Sequence, residues 1–310
     1  MSSAAGSGHG IAAADGEPFS LAKNRDVQEE ATMKWNIVTD SSCDRFPAVM
    51  QSGLARLSSV PFVIRVGDRD FVDDDALDTA EMLAAMERCE QASHTSCPAP
   101  HDWLERFEQA EQSIAITISS RLSGSMISAE LAREMALERW PEKRIAVLDS
   151  RSTGPELVLC VKKICALIGA GADFDTVVAE ADAFLRDTHV AFALSSFGNL
   201  VKNGRMSRAV GTIARRLGMW GVGVGSDDGT IDVRGKVRGA ARAVALLLED
   251  MAAHGYRGGQ VVISQCHNLP LAEKLQSRIR ELWQGADVAI VPTRGLCSYY
   301  AERGGLIVSY

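Results

Sequence analysis

The sequence predicts an α/β protein with two α/β domains, and three observations predict it. Its 310 residues suit two α/β domains or one large one rather than a single small domain. Short apolar, β-branched runs alternate with stretches whose apolar residues recur at helical spacing, the pattern of a mostly parallel sheet with flanking helices. In the second half, Asp227-Asp228-Gly229 interrupts that alternation with a hairpin turn, so the second sheet is expected to be mixed, with helices. The expected division is residues 33–187 as an N-terminal α/β domain and 188–310 as a C-terminal one. Residues 1–32, rich in Gly, Ala, Ser and charge, read as a disordered leader or an alternative upstream start.

The elements follow in order. Ile37-Val38-Thr39 reads as a buried strand that ends at Asp40-Ser41-Ser42. Residues 60–66 read as a second strand, and 70–75 as an acidic loop. Asp78, with Glu81 three positions on, forms a capping-box signal. The helix it opens carries Met82, Leu83 and Met86 at helical spacing. Pro98 and Pro100 make 94–100 a turn, and a short helix with Trp103, Leu104 and Phe107 follows. A strand at 114–118, a serine-rich loop at 119–125 and a helix to about 139 come next. A strand at 145–148, a loop at 149–155 and a helix carrying Leu157, Val161, Ile164 and Leu167 repeat the pattern. Further on, a helix with Val177, Ala181 and Leu185 precedes a strand at 190–194. Gly204 breaks one helix from the next, and a long helix over 240–253 precedes strands at 261–264 and 288–291.

Composition narrows the function. Hydrophobic residues are 46% and charged residues 24%, which excludes collagen-like, coiled-coil and wholly disordered chains. No apolar run reaches the roughly 18–20 residues of a membrane helix. A net charge of −7 argues against a general nucleic-acid binder. The seven cysteines show no CxxC spacing, so reduced thiols are expected rather than a disulfide framework or a zinc site. With no signal peptide pattern, the cytoplasm is the simplest compartment. No metal and no cofactor is expected.

In parallel α/β sheets, ligands collect in loops beyond the carboxyl ends of the strands. The loop at 119–125 is the most informative of these. Ser119, Ser120, Ser123 and Ser125 surround Gly124 at a strand-to-helix junction. One serine suffices to cap a helix. Four hydroxyls beside unpaired helix-start amides also suit a carboxylate or phosphate. Thr95-Ser96 offers a second hydroxyl pair, again either cap or ligand. Asp40 reads as a loop-fixing hydrogen-bond acceptor, and Asp73-Asp74-Asp75 as a solvated loop rather than a cation site. Arg205, Lys236 and Arg238 are basic residues on loops or strand ends, either plain surface charge or partners for an anion. Gly221-Val222-Gly223-Val224-Gly225 lacks the spacing of a dinucleotide loop. No set of nucleophile, base and orienting group is recognisable.

Taken in order, these segments resemble the DegV family of bacterial lipid-binding proteins. The carriers are Ile37-Val38-Thr39-Asp40-Ser41-Ser42-Cys43-Asp44, Val60-Pro61-Phe62 and His94-Thr95-Ser96-Cys97-Pro98. The last is similar to the family's Thr-Ser-Gln-Pro turn, with Cys97 in place of Gln. Ser119-Ser120-Arg121-Leu122-Ser123-Gly124-Ser125 matches best. Asn203-Gly204-Arg205 resembles the Gly-Arg motif, and Gly229 with Lys236 and Arg238 the segment after it. The likeness runs from about residue 35 to 310.

The resemblance implies a non-catalytic protein that holds one long-chain fatty acid between two domains. It also implies a separate kinase subunit that phosphorylates the bound carboxylate. Thr95, Ser96, Ser123, Gly124 and Ser125 would hold the carboxylate. Arg205 and Arg238 would lie near the head group or the kinase-docking surface. A histidine that the family places near the C-terminus is missing; Tyr299 or Tyr300 stands where it would be. The alternatives are an enzyme of phosphoryl or acyl transfer that uses the Ser123/Ser125 loop, and a binder of another small anion.

Overall fold

The computed structural model describes residues 33–44, 55–91, 93–207 and 218–310. The expected leader at 1–32 lies outside them. The first sheet starts with β1 (Met33–Asp40) at its centre. β2 (Ala55–Val60) and β6 (Ala110–Thr117) flank it in parallel, and β7 (Arg144–Asp149) extends the sheet beyond β6, giving the order β2-β1-β6-β7. All three pairings are parallel, so the loops after β1, β6 and β7 emerge on the same edge.

The predicted strand at 60–66 is two strands in two sheets. Pro61 has no amide donor and cannot continue a ladder. The chain turns there, held by the Phe62 amide donating to Ser41 Oγ at 3.0 Å. It then enters a small antiparallel sheet of β3 (Val63–Val66), β4 (Arg69–Val72) and β5 (Ser93–Ser96), ordered β4-β3-β5. β5 occupies the segment expected to be a turn, and β4 the one expected to be loop. Between them runs α1 (Thr79–Arg88), whose first amides donate to Asp78 Oδ1. Only half of the capping box forms, because Glu81 pairs with Arg69 instead.

α2 (Pro100–Glu108) and α3 (Ser125–Arg139) cover one face of the first sheet through Trp103, Phe107, Ala129 and Ala132. The other face meets α4 (Pro155–Gly169) and α5 (Phe174–Asp187). Seven successive residues of α4, Pro155 to Val161, are buried. Its first half is therefore covered on all sides, and α4 packs with Val262 and Val291 of the second sheet as well.

That second sheet contains β8 (Val190–Leu194), β9 (Met219–Gly225), β10 (Ile231–Arg238), β11 (Gly259–Gln265), β12 (Ala286–Pro292) and β13 (Leu306–Ser309). Their order is β10-β9-β8-β13-β11-β12, and only β11–β12 is parallel. The sheet is mixed, as the hairpin predicted. α7 (Ala240–Ala253) and α8 (Leu269–Leu282) bury Val244, Leu247, Leu275 and Ile279 on its outer face. The short α6 (Gly198–Lys202) and α9 (Gly295–Ala301) pack on the inner side with α1. α8, α9 and β13 were not predicted, although α8 buries Leu271, Leu275 and Ile279 at helical spacing. Both sheets belong to one compact unit.

Candidate functional site

Phe62 after β2 and the loops after β6 and β7 meet the inner face of the second sheet around a cavity. Its walls are mostly apolar. Ile118 and Leu122 come from the β6 loop, Val190, Phe192 and Leu194 from β8, and Leu296 from α9.

Polar groups interrupt the wall: Thr95, Ser123, Arg205 and Tyr300 line the cavity, as do Arg151, Ser152, Thr153 and Thr230. β5 presents Ser93 and Thr95 inward, and each bonds a tyrosine of α9. Ser93 Oγ lies 2.8 Å from the Tyr299 hydroxyl, and Thr95 Oγ1 lies 3.0 Å from that of Tyr300. The guanidinium of Arg205 donates to Leu122 O at 3.1 Å and Asn203 O at 2.6 Å. Its central carbon stands 5.9 Å from the centre of the Tyr300 ring. Burial raises the Tyr300 phenol above its ordinary range, so the hydroxyl stays protonated at neutral pH. The group is a ring of neutral hydroxyls beside one cation, suited to a carboxylate.

The serine loop is fixed from below. Asp40 is fully buried at the end of β1. Its carboxylate accepts from the Ser42 amide at 3.1 Å and hydroxyl at 2.5 Å, the Ile118 amide at 2.9 Å and the Ser125 hydroxyl at 2.6 Å. Burial raises its pKa, and these hydrogen bonds oppose the rise. Ser125 is thereby turned inward and fully buried, while Ser123 faces the cavity and its Oγ accepts from the Ser125 amide at 3.2 Å. Gly124 is the N-cap of α3 and has no capping side chain, and the first amide of the helix, that of Ser125, is the one Ser123 Oγ accepts.

Of the residues singled out in the sequence, the structure brings Thr95, Ser123 and Arg205 to the cavity wall. Ser96 follows Thr95 in a strand, so it points to the opposite face and is exposed. Gly124 and Ser125 shape the loop from outside the wall. Arg238 is exposed at the far end of β10. It lies seven residues beyond Ile231 of the wall, about 23 Å along a strand. The sequence reading missed the support of α9. Asp73, read as solvated, is buried and accepts the Gly295 amide at 2.7 Å and the Leu296 amide at 2.8 Å. Arg294, also buried, donates to Ser59 Oγ and to Asp73 O, each at 3.0 Å, and its amide donates to Asp44 Oδ1 at 2.8 Å. An Asp in a predicted acidic loop and an Arg in a stretch with no predicted helix gave no local signal of this long-range pairing.

Comparison with known proteins fits this geometry. The family model described as DegV, a family of uncharacterised proteins, matches residues 34–310. A DegV domain-containing protein of Streptococcus pneumoniae is 40% identical over 278 residues, 90% of this chain and 99% of its own. Among solved structures, the S. pneumoniae Fatty Acid Kinase (Fak) B3 protein loaded with linoleic acid is similar with a TM-score of 0.85 and 40% identity. The match covers 90% of this chain and 99% of that one. A DegV family protein from Eubacterium eligens loaded with heptadecanoic acid is similar with a TM-score of 0.85 and 34% identity, over 89% of this chain and 98% of that one.

Proposed function

We infer a function from the premise that the chain belongs to the DegV family: it binds one long-chain fatty acid in the cavity between its two sheets, with the carboxylate at the Thr95–Ser123–Arg205–Tyr300 end. The observation that carries the reading is a mostly apolar cavity with the cluster of Thr95, Ser123, Arg205 and Tyr300 in its wall. A carboxylate there meets hydroxyl donors and a guanidinium. A sixteen-carbon chain gains about 0.8 kcal/mol per buried methylene, about 11 kcal/mol in all before the costs of association. The tail therefore supplies most of the affinity and the polar end sets direction.

The fatty-acid ligands named for the pneumococcal and Eubacterium neighbours support the same ligand class here. The protein is read as a carrier, not an enzyme. Ser125 is fully buried against Asp40, which leaves Ser123 as the hydroxyl of its loop that faces the cavity. The name of the pneumococcal neighbour adds a finer proposal, that the carboxyl end is presented to a separate kinase subunit, with exposed Arg238 on the docking side. Buried thiols at Cys43, Cys160, Cys266 and Cys297 suit a reducing cytoplasm. The decisive experiment is mass spectrometry of small molecules released from the denatured protein. A roughly stoichiometric C14–C18 fatty acid is expected. No lipid, with no thermal shift on adding free fatty acids, overturns the reading.

A further inference from the structure

The Gly221-Val222-Gly223-Val224-Gly225 run lies within β9. Its glycines recur at every second position and so share one face of the sheet. That face belongs to the cavity. Gly225 lines it, as do Val190, Phe192 and Leu194 of β8, and the register pairs Phe192 with Gly223 and Leu194 with Gly221. Neither Gly223 nor Gly225 has a positive φ, so the backbone does not demand glycine at either. Space does. A methyl group at Gly225 would stand 2.7 Å from Cγ1 of Val190, and one at Gly223 would stand 2.5 Å from the Phe192 ring. Both β8 side chains lean over the bare backbone of β9.

Val190 and Gly225, with Arg151, also line a second cavity of about 790 Å³ empty volume. The rest of that cavity is largely polar, with Glu156, Arg186, Thr188, His189 and Asp227 on its walls. Val190 on Gly225 is thus part of a partition one side chain thick between an apolar cavity and a polar one. Its place along the apolar cavity follows from chain order. β8 begins at Val190, and its other end leads through α6 to Arg205. The partition therefore stands at the end of β8 away from the carboxylate-binding groups.

We propose that Val190, seated on Gly225, is the chain-length stop of the acyl cavity. The proposal rests on the fatty-acid reading above. A chain that ends at Val190 stays within mostly apolar walls, with Arg151 beside its far end. Each further methylene must enter the polar cavity and forfeits its transfer gain, about fourfold in affinity per methylene. Val190 sets where that loss begins, and Gly225 lets Val190 lie back so that the cavity reaches this far.

The test is competition binding of saturated fatty acids from C12 to C22 to the full-length protein and three variants. V190A is expected to raise the affinity of C20 relative to C16 at least tenfold. G225A presses Val190 into the cavity and is expected to lower C18 relative to C14 about tenfold. V190A/G225A is expected to return toward the wild-type profile. A V190A protein that binds fatty acids with an unchanged length profile overturns the proposal, and this variant decides it even where G225A does not fold. Wild-type protein that binds no fatty acid of any length overturns the functional reading, and the stop falls with it.

Discussion

The two sides of the cavity are built in different ways. On the side of the first sheet, buried carboxylates tie strand ends to loops: Asp40 holds Ser42, Ile118 and Ser125, and Asp73 holds the start of α9. On the side of the second sheet the wall is made by shape, with β8 side chains lying over glycines of β9. Hydrogen-bonded carboxylates fix the position of donors to within a fraction of an ångström, which a head group needs. Apolar packing fixes only volume, which is what an acyl chain reads. Directional bonds are also the more costly to break, because an unpaired buried charge remains.

The largest effect is therefore expected on the carboxylate side. Arg294→Ala removes a buried cation from beside Asp73 and leaves that carboxylate short of its partner. A loss of about 3–5 kcal/mol is expected, read from the urea midpoint. Val190→Ala across the cavity removes only methyl groups and costs about 1–2 kcal/mol at most. Equal losses would break the contrast.

A second test uses pH. Burial raises Glu156, which faces the second cavity, from 4.5 to about 7. The folded state then keeps a proton that the unfolded chain has released. This contribution is intact below about pH 4.5 and is lost as pH rises through 7, on the order of 3 kcal/mol in total. Asp44, raised to about 7 by burial, acts in the same sense. Glu156→Gln is expected to flatten the stability profile between pH 5 and 8, with the slope due to Asp44 remaining. An unchanged profile would remove Glu156 from the set of buried acids.

These differences also explain what could be read from the sequence. The polar end was legible because turns, caps and hydroxyl clusters are local: Thr95, Ser123 and Arg205 each sit in a short motif. β1, β6 and β7 were legible as short apolar runs, and α7 by its helical spacing. Ser96 was misjudged because a strand was read as a turn, and strand alternation sends it outward. Arg294 and Asp73 meet across 221 residues, and no local pattern encodes that distance. The acyl wall was illegible for another reason: Val190 and Phe192 look like ordinary core in any strand, and only the register with Gly223 and Gly225 gives them a role.

Ser123→Ala sharpens the contrast within the ligand. Loss of a hydrogen bond to a charged carboxylate costs about 2 kcal/mol, or about 30-fold in affinity. A fatty alcohol of the same length has no charge to lose and is expected to bind the variant only a few-fold more weakly. An equal loss for acid and alcohol would place the head group elsewhere.

The smallest effect is expected where the two sides touch. The tip of the β9–β10 hairpin lies over the cavity with Gly229 and Thr230 in its wall. Gly229 has a φ of +83°, a conformation that glycine adopts without strain. The tip is joined to the first half by the Ser119 hydroxyl, buried and donating to Gly229 O at 2.6 Å, and by an exposed Arg121–Asp228 pair at 3.4 Å. An exposed ion pair contributes little, whereas a buried hydrogen bond is worth about 1 kcal/mol. Ser119→Ala is therefore expected to speed amide exchange at Gly229 and Thr230 about fivefold, the factor that 1 kcal/mol represents. Arg121→Ala is expected to change it less than twofold, and the β9 interior should not respond to either. If Arg121→Ala has the larger effect, the hairpin is held by surface charge, and its closure over the cavity becomes sensitive to salt.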